Sequence, residues 1–269
     1  MQFSIEVTPK VDVSALPKGI REVSITYLPG ADDRDVVAQA VKLRQLGVDP
    51  IPHVPARSIR DLANLTRYLT ALKTEADVRQ VLIIGGSPDR PAGPFTSTLD
   101  LLETGLFDGL RVGVAGHPEG MPVLSEQECD GPLGPVSDHR FLALKNQYAR
   151  DTGTEMFVMT QWSLDVPTIH RWLDRIEAFN TLPIYLGIPG PTTPATLLKF
   201  AQICGVKTSL LGLRNQSGRL GKLLTVQSPD YLVEGLGGRI QNFHIYTFGG
   251  VRRTRDWLAT RQSNLAVSA

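Results

Sequence analysis

A few residues in this chain could move a proton or hold a planar ring, and they recur at one kind of place. Glu6 follows Phe3-Ser4-Ile5, a β-type run in which apolar residues alternate with Ser4 and Glu6, so those two share one strand face. On a half-exposed edge strand such a glutamate rests in water at no cost. In a central strand of a parallel barrel it points into the top of the core. There desolvation disfavours the charged form and raises the pKa, as a general acid working near neutral pH requires. Other strand-like runs end on Thr26, His53, Gly85-Gly86, His117, Thr160-Gln161, residues 187–190 and Tyr246-Thr247. Each has a plain structural reading: a loop histidine after proline, or an amide capping its strand. Their shared position at strand ends is what points to a site.

Other chemistries find less support. His53 and His117 come from separate strands, and no neighbouring Asp or Glu completes a ligand set with them, so no metal is expected. No Ser or Cys sits on a nucleophile elbow. Gly249-Gly250, with Arg252 two residues on, reads equally as a phosphate-holding turn at a helix N-terminus and as a tight strand-to-helix turn.

The elements that must position these residues alternate along the chain. After the first strand, 22–28 is β-rich, and Asp32-Asp33-Arg34-Asp35 opens a helix that Gly47 stops. Residues 50–54 form a third strand. A helix capped by Ser58 follows, with Ile59, Leu62, Leu65, Leu69 and Leu72 at helical spacing. Strands are expected at 78–86, 111–116, 155–161, 183–190 and 242–248, with helices over 138–153, 165–176, 193–205, 229–236 and 251–261. The Gly- and Pro-rich stretch 118–135 is long enough to be a functional loop, and 207–238 is less regular. Eight strands alternating with helices predict a single-domain (β/α)8 TIM barrel over 1–262, with a small-residue, flexible tail at 263–269. A doubly wound open sheet is the alternative, but Val7-Thr8-Pro9-Lys10 is not the Gly-rich turn that such folds place after strand one.

At 269 residues, 20% charged and net charge +1, the chain has no polyanion-binding character, so nucleic acid is not expected as a partner. Cys129 and Cys204 read as free thiols in a reducing compartment. No signal-type start and no membrane-length apolar run is visible, which gives a cytoplasmic expectation without membrane contact. Oligomeric state is not legible.

Taken in order, these motifs resemble the methylenetetrahydrofolate reductase family. Ser4-Ile5-Glu6-Val7-Thr8-Pro9 is similar to its S-F-E-F-F-P-P strand, Ser24-Ile25-Thr26-Tyr27 to its V-T-Y, and Pro52-His53-Val54 to its P-H-L. His117-Pro118-Glu119 resembles its Y-P-E, and Met159-Thr160-Gln161-Trp162-Ser163-Leu164-Asp165 its I-T-Q-x-x-F-D. Residues 187–191 resemble its P-G-I-x-P, and His244-Ile245-Tyr246-Thr247 its H-F-Y-T. The resemblance spans nearly the whole chain. It implies a (β/α)8 oxidoreductase that converts 5,10-methylenetetrahydrofolate to 5-methyltetrahydrofolate. Glu6 would serve the acid chemistry that opens the imidazolidine ring, and Gln161, Gly86 and Tyr246 would meet the folate substrate.

The departures bear on the cofactor. The family's R-G-D after strand four, which serves flavin and pterin, is Ile84-Gly85-Gly86 here, and its Y-P-E tyrosine is His117. A helix that carries flavin contacts in the family reads Arg140-Phe141-Leu142-Ala143-Leu144-Lys145-Asn146-Gln147, with its acid and amide changed, and Gly249-Gly250 replace the Asn and Arg after H-F-Y-T. Bound FAD is therefore doubtful on sequence, because a pyrophosphate needs donors or charge. The expectation is direct hydride transfer from NADH or NADPH, with Thr26, His53, His117 and Gly85 bordering the cofactor. Three alternatives stay open: the same reaction through FAD, a phosphate-binding lyase or isomerase built on Gly249-Gly250, and a pterin-binding methyltransferase or non-catalytic folate protein.

Overall fold

Strand β1 (Gln2–Val7) sets the pattern for the barrel. The computed structural model describes residues 1–28, 30–120, 138–204, 206 and 226–267, without the side chains of 138 and 264–267. In it Ile5 and Val7 face outward into a hydrophobic layer shared with the helices, and Ser4 and Glu6 face inward. The other strands are β2 (Glu22–Ile25), β3 (Asp49–Pro55), β4 (Gln80–Ile84), β5 (Arg111–Gly116), β6 (Met156–Thr160), β7 (Ile184–Pro189) and β8 (Asn242–Tyr246). All pair in parallel in the order β1 to β8, and β8 closes on β1, which makes a (β/α)8 barrel as the alternation predicts. In the register at the seam, Glu6 lies opposite Tyr246 on one side and Ser24 on the other.

The helices are α1 (Asp33–Gln45), α2 (Leu62–Ala76), α3 (Thr98–Leu102), α4 (Asp138–Thr152), α5 (Val166–Ile176), α6 (Pro194–Cys204), α7 (Asp230–Leu236) and α8 (Val251–Val267). Side-chain caps start several of them. Asp32 accepts from Arg34 N at 2.9 Å, and Asp165 accepts from Thr168 N at 2.9 Å with Pro167 in the first turn. Ser58 is not a cap: residues Ala56–Ser58 form one 3-10 turn, and Asp61 caps α2 by accepting from Asn64 N at 2.6 Å. The apolar stripe that begins at Ile59 in the sequence hides this, since Ile59 is buried outside the helix.

Of the tail expected at 263–269, residues 268–269 lie outside the described residues. Residues 263–267 continue α8, where Ser263 Oγ donates to Ala259 O, and no Gly or Pro after Gly250 interrupts the run. The expected loop at 118–135 and the irregular stretch from 207 fall largely on 121–137 and 207–225, outside the described residues, as do Cys129 and Gly205. No described helix is long and apolar enough to cross a membrane.

Alternation along the strands builds two apolar layers. Outward residues such as Val23, Ile25, Ile83, Val114, Val158, Ile188 and Ile245 pack with Leu43, Leu72, Ile169 and Trp172 of the helices. Inward residues Ile51, Leu82, Phe157, Met159 and Tyr185 fill the barrel itself. Beneath this plug, at the strand N-termini, Arg111 donates to Glu22 Oε1 (3.2 Å), Gln80 Oε1 (3.0 Å) and Tyr185 Oη (3.2 Å), with its guanidinium 4.4 Å from the Phe157 ring centroid. Above the plug lie Glu6 and its neighbours.

Candidate active site

Glu6 is the fifth residue of a six-residue strand, near the C-terminal mouth, and its side chain is 14% exposed. Oε2 lies 3.5 Å from His53 Nε2 and 3.9 Å from His244 Nε2, so two rings from β3 and β8 face one carboxyl. Each imidazole is held by a serine on a neighbouring strand. Ser24 Oγ is 2.7 Å from His53 Nε2, and Ser4 Oγ is 2.9 Å from His244 Nδ1. Burial pushes His53 down to about 4; the Glu6 charge opposes this and His244 adds to it. At neutral pH, His53 is therefore an uncharged ring. His244 is fully buried, and its Nε2 has no hydrogen-bond partner among the described residues.

On the β6 side, Gln161 takes its backbone N–H to Gly116 O (2.8 Å), and its side-chain Oε1 accepts from Trp162 N (3.0 Å). A cavity of about 60 Å³ opens beside it, lined by His117, Glu119, Gly120, Trp162, Cys204 and Val206. Glu119 accepts from Ser163 Oγ at 2.7 Å. Burial pushes the Cys204 thiol up, the neighbouring Trp162 opposes this and the Glu6 charge adds to it, so the thiol is protonated at neutral pH. Glu6 also raises the Tyr246 phenol, after the larger effect of burial. The field of the carboxyl thus reaches both Tyr246 and the Cys204 wall of the cavity.

The expected site residues separate into three places. Glu6 and His53 meet inside the barrel. His53, expected at the cofactor border, is 6% exposed and turned to Ser24 and Glu6, because β3 runs two residues past it to Pro55. Gln161 and His117 share the small cavity, and Glu6 does not line it. Tyr246, expected to meet substrate, donates its hydroxyl to Thr160 O at 3.0 Å. Gly187 leaves room for that ring: a Cβ there would lie 2.3 Å from Thr160 O and 2.9 Å from Tyr246 Cε2.

Thr26, Gly85 and Gly86 sit at the rim. Thr26 Oγ1 donates to Val7 O at 3.4 Å, and Gly85 O accepts from Arg57 N at 2.9 Å. Gly86 has φ +94°, which favours glycine, and an added Cβ would press on Pro55 Cβ at 3.2 Å. The loop after β4 is tied down by the buried Arg57, whose guanidinium donates to the carbonyls of Pro88 (2.7 Å) and Asp89. A separate open cavity of about 480 Å³ lies at the N-terminus of α8, walled by Gly249, Gly250, Arg252, Thr192, Thr196 and Asp12.

Sequence reasoning leaves Ser4, Ser24, His244, Cys204 and Glu119 out of the site. Ser4 is legible as a face-mate of Glu6. Ser24 and His244 need the strand register, since His244 inside Phe243-His244-Ile245 reads as a core residue, and Glu119 and Cys204 need the packing of a loop and a helix end against β6. Among the described residues, no three His, Cys, Asp or Glu side chains are grouped to hold a metal ion.

No protein-family model matches the chain. Among solved structures, dihydropteroate synthase from Thermus thermophilus is 13% identical over 97% of this chain and 93% of that chain, with a TM-score of 0.52. The same enzyme in complex with 6HMPPP is 13% identical over 97% and 92%, with a TM-score of 0.51. At such identity the likeness carries the architecture alone, and on that ground together with the closed strand order this chain has the (β/α)8 barrel fold.

Proposed function

We propose that this chain reduces 5,10-methylenetetrahydrofolate to 5-methyltetrahydrofolate, with NADH or NADPH passing hydride directly to the folate. The observation that carries this is Glu6, a nearly buried carboxyl at the barrel mouth with two imidazoles within 4 Å, one of them held neutral by burial. In this reading Glu6 gives its proton to N10 of the folate, the bond from the bridging carbon to N10 breaks, and the carbon is left as an iminium on N5. Hydride from the nicotinamide adds to that carbon, giving the methyl group and the oxidised cofactor, and the Glu6 carboxylate is reprotonated from water. Gln161 suits a pterin edge: its carbonyl is fixed by Trp162 N–H, and its amide nitrogen makes no hydrogen bond among the described residues.

The residues present do not fit FAD in the family's position. Ile84-Gly85-Gly86 offer no charged side chain, and the guanidinium of Arg57 is engaged by the carbonyls of Pro88 and Asp89. No step is routed through a flavin.

A second reading has its own observation. The cavity at Gly249-Gly250 falls within the roughly 300–1,000 Å³ of small-molecule sites, and the one beside Gln161 falls below it. A phosphate-binding lyase or isomerase would use that rim site, with Glu6 as acid or base. An absorption spectrum followed by NADH and NADPH assays with methylenetetrahydrofolate separates the readings. A colourless protein that oxidises the nicotinamide only when folate is present supports the reductase. Stoichiometric flavin, folate binding without hydride transfer, or no response to folate overturns it.

A further inference from the structure

Both imidazoles around Glu6 are paired with a serine, but through opposite ring nitrogens. Ser24 takes the nitrogen of His53 that faces Glu6, at 2.7 Å. Ser4 takes the far nitrogen of His244, Nδ1, and leaves Nε2 buried, without a hydrogen-bond partner among the described residues, 3.9 Å from Glu6 Oε2. Each serine hydroxyl has one hydrogen to place and no other acceptor among its hydrogen bonds in the described residues. If both donate to their imidazoles, His53 Nε2 becomes an acceptor already in use, and the hydrogen of His244 is fixed on Nε2, aimed at the carboxyl. A buried N–H without an acceptor is costly, so it has a partner in some state of the protein.

We propose that His244 is a positioning residue for Glu6. Its Nε2–H, oriented by Ser4, receives the carboxylate that forms when Glu6 gives up its proton. This rests on the acid role proposed above. At 3.9 Å the contact is too long for a hydrogen bond, so the proposal requires the glutamate side chain to rotate towards the ring. A donor set in advance where charge develops stabilises that charge without reorganisation. The groups that face Glu6 among the described residues are His53 from β3, His244 and Tyr246 from β8, and Cys204 from the end of α6. Of these, His244 alone is a buried nitrogen left without a partner.

Two substitutions separate the ring's nitrogens. His244→Asn keeps an amide near the Nδ1 position beside Ser4 and loses the Nε2 contact, whereas His244→Gln places an amide nitrogen near Nε2 and loses the serine contact. The readout is the ionisation of Glu6, followed by infrared difference spectroscopy with ¹³C-labelled glutamate and assigned with Glu6→Gln. His244→Asn is expected to raise the Glu6 midpoint by about one pH unit, a tenfold change in the protonated-to-ionised ratio. His244→Gln is expected to keep the midpoint within about 0.3 unit, on the same scale. A midpoint unchanged in His244→Asn, or one shifted as far in His244→Gln, overturns the proposal. Should His244→Asn fail to give a cooperative thermal transition, Ser4→Ala replaces it: a raised midpoint supports the proposal and an unchanged one overturns it. The titration needs no turnover, so wild-type protein that fails to oxidise NADH with folate would end the reductase reading and leave this measurement intact.

Discussion

The barrel has polar side chains at both ends of its interior, and the two ends are built differently. At the strand N-termini, Arg111 gathers Glu22, Gln80 and Tyr185 around one guanidinium, each within 3.2 Å, and stacks on Phe157. At the mouth, Glu6 has two rings at 3.5 and 3.9 Å and hydrogen-bonds to neither, while His244 Nε2 has no hydrogen-bond partner among the described residues. Both clusters come from inward positions of the same strands, separated by the plug of Ile51, Leu82 and Phe157. At the floor the charge is paired, with Arg111 Nε 3.0 Å from Glu155 Oε1 though not hydrogen-bonded to it, and that pairing contributes to stability. At the mouth the Glu6 carboxyl and His244 Nε2 face each other at 3.9 Å without a hydrogen bond.

Three changes would break or sharpen this contrast. The largest effect belongs to the mouth. Glu6→Gln is expected to lower turnover with methylenetetrahydrofolate by about 100-fold or more, as for loss of a general acid, with folate affinity by calorimetry largely kept. Equal loss of both would make Glu6 a binding residue.

Next comes acid sensitivity. His53 has an ordinary value of 6.5 and is held at about 4 when folded, so between these values the unfolded chain binds more protons. Stability from this group is complete above pH 6.5 and falls as pH drops towards 4, by at most about 3 kcal/mol. Denaturant unfolding from about pH 7 to about pH 4 would measure it, and His53→Gln should flatten that part of the curve.

The smallest effect is at the floor. Arg111→Met leaves the Glu22 carboxylate without its cation. The pair is about one-fifth exposed (21% and 22%), so the expected loss is about 2 kcal/mol, below the roughly 3–5 kcal/mol for a fully buried pair. Activity per folded molecule should be unchanged. If it falls with stability intact, the two ends are not independent.

Much of this could be read from the chain. Alternation of Ser4 and Glu6 with Ile5 and Val7 gives the inward face, and Asp32 and Asp165 mark helix starts because a capping carboxylate needs only the next few residues. What could not be read depends on register between strands far apart in sequence. Arg111 looks like an ordinary strand opener until Glu22, Gln80 and Tyr185 are set beside it, and His244 looks like core until Ser4 and Glu6 are opposite. The cofactor border anticipated at Thr26, His53, His117 and Gly85 divides for the same reason. Strand-end position is a one-dimensional cue, and one residue more or less of strand decides whether a side chain enters the barrel or the rim.

The seam between β1 and β8 has a temporal consequence. Ser4 meets His244 across 240 positions, and Thr247 Oγ1 donates to Glu6 O at 2.7 Å. During synthesis the strand bearing Glu6 therefore waits for nearly all the rest of the barrel to leave the ribosome before its second edge is covered. A nascent chain halted just before residue 242 would hold Glu6, His53 and Gln161 and still have no enclosed acid, so competence would arrive late and abruptly with the closing strand.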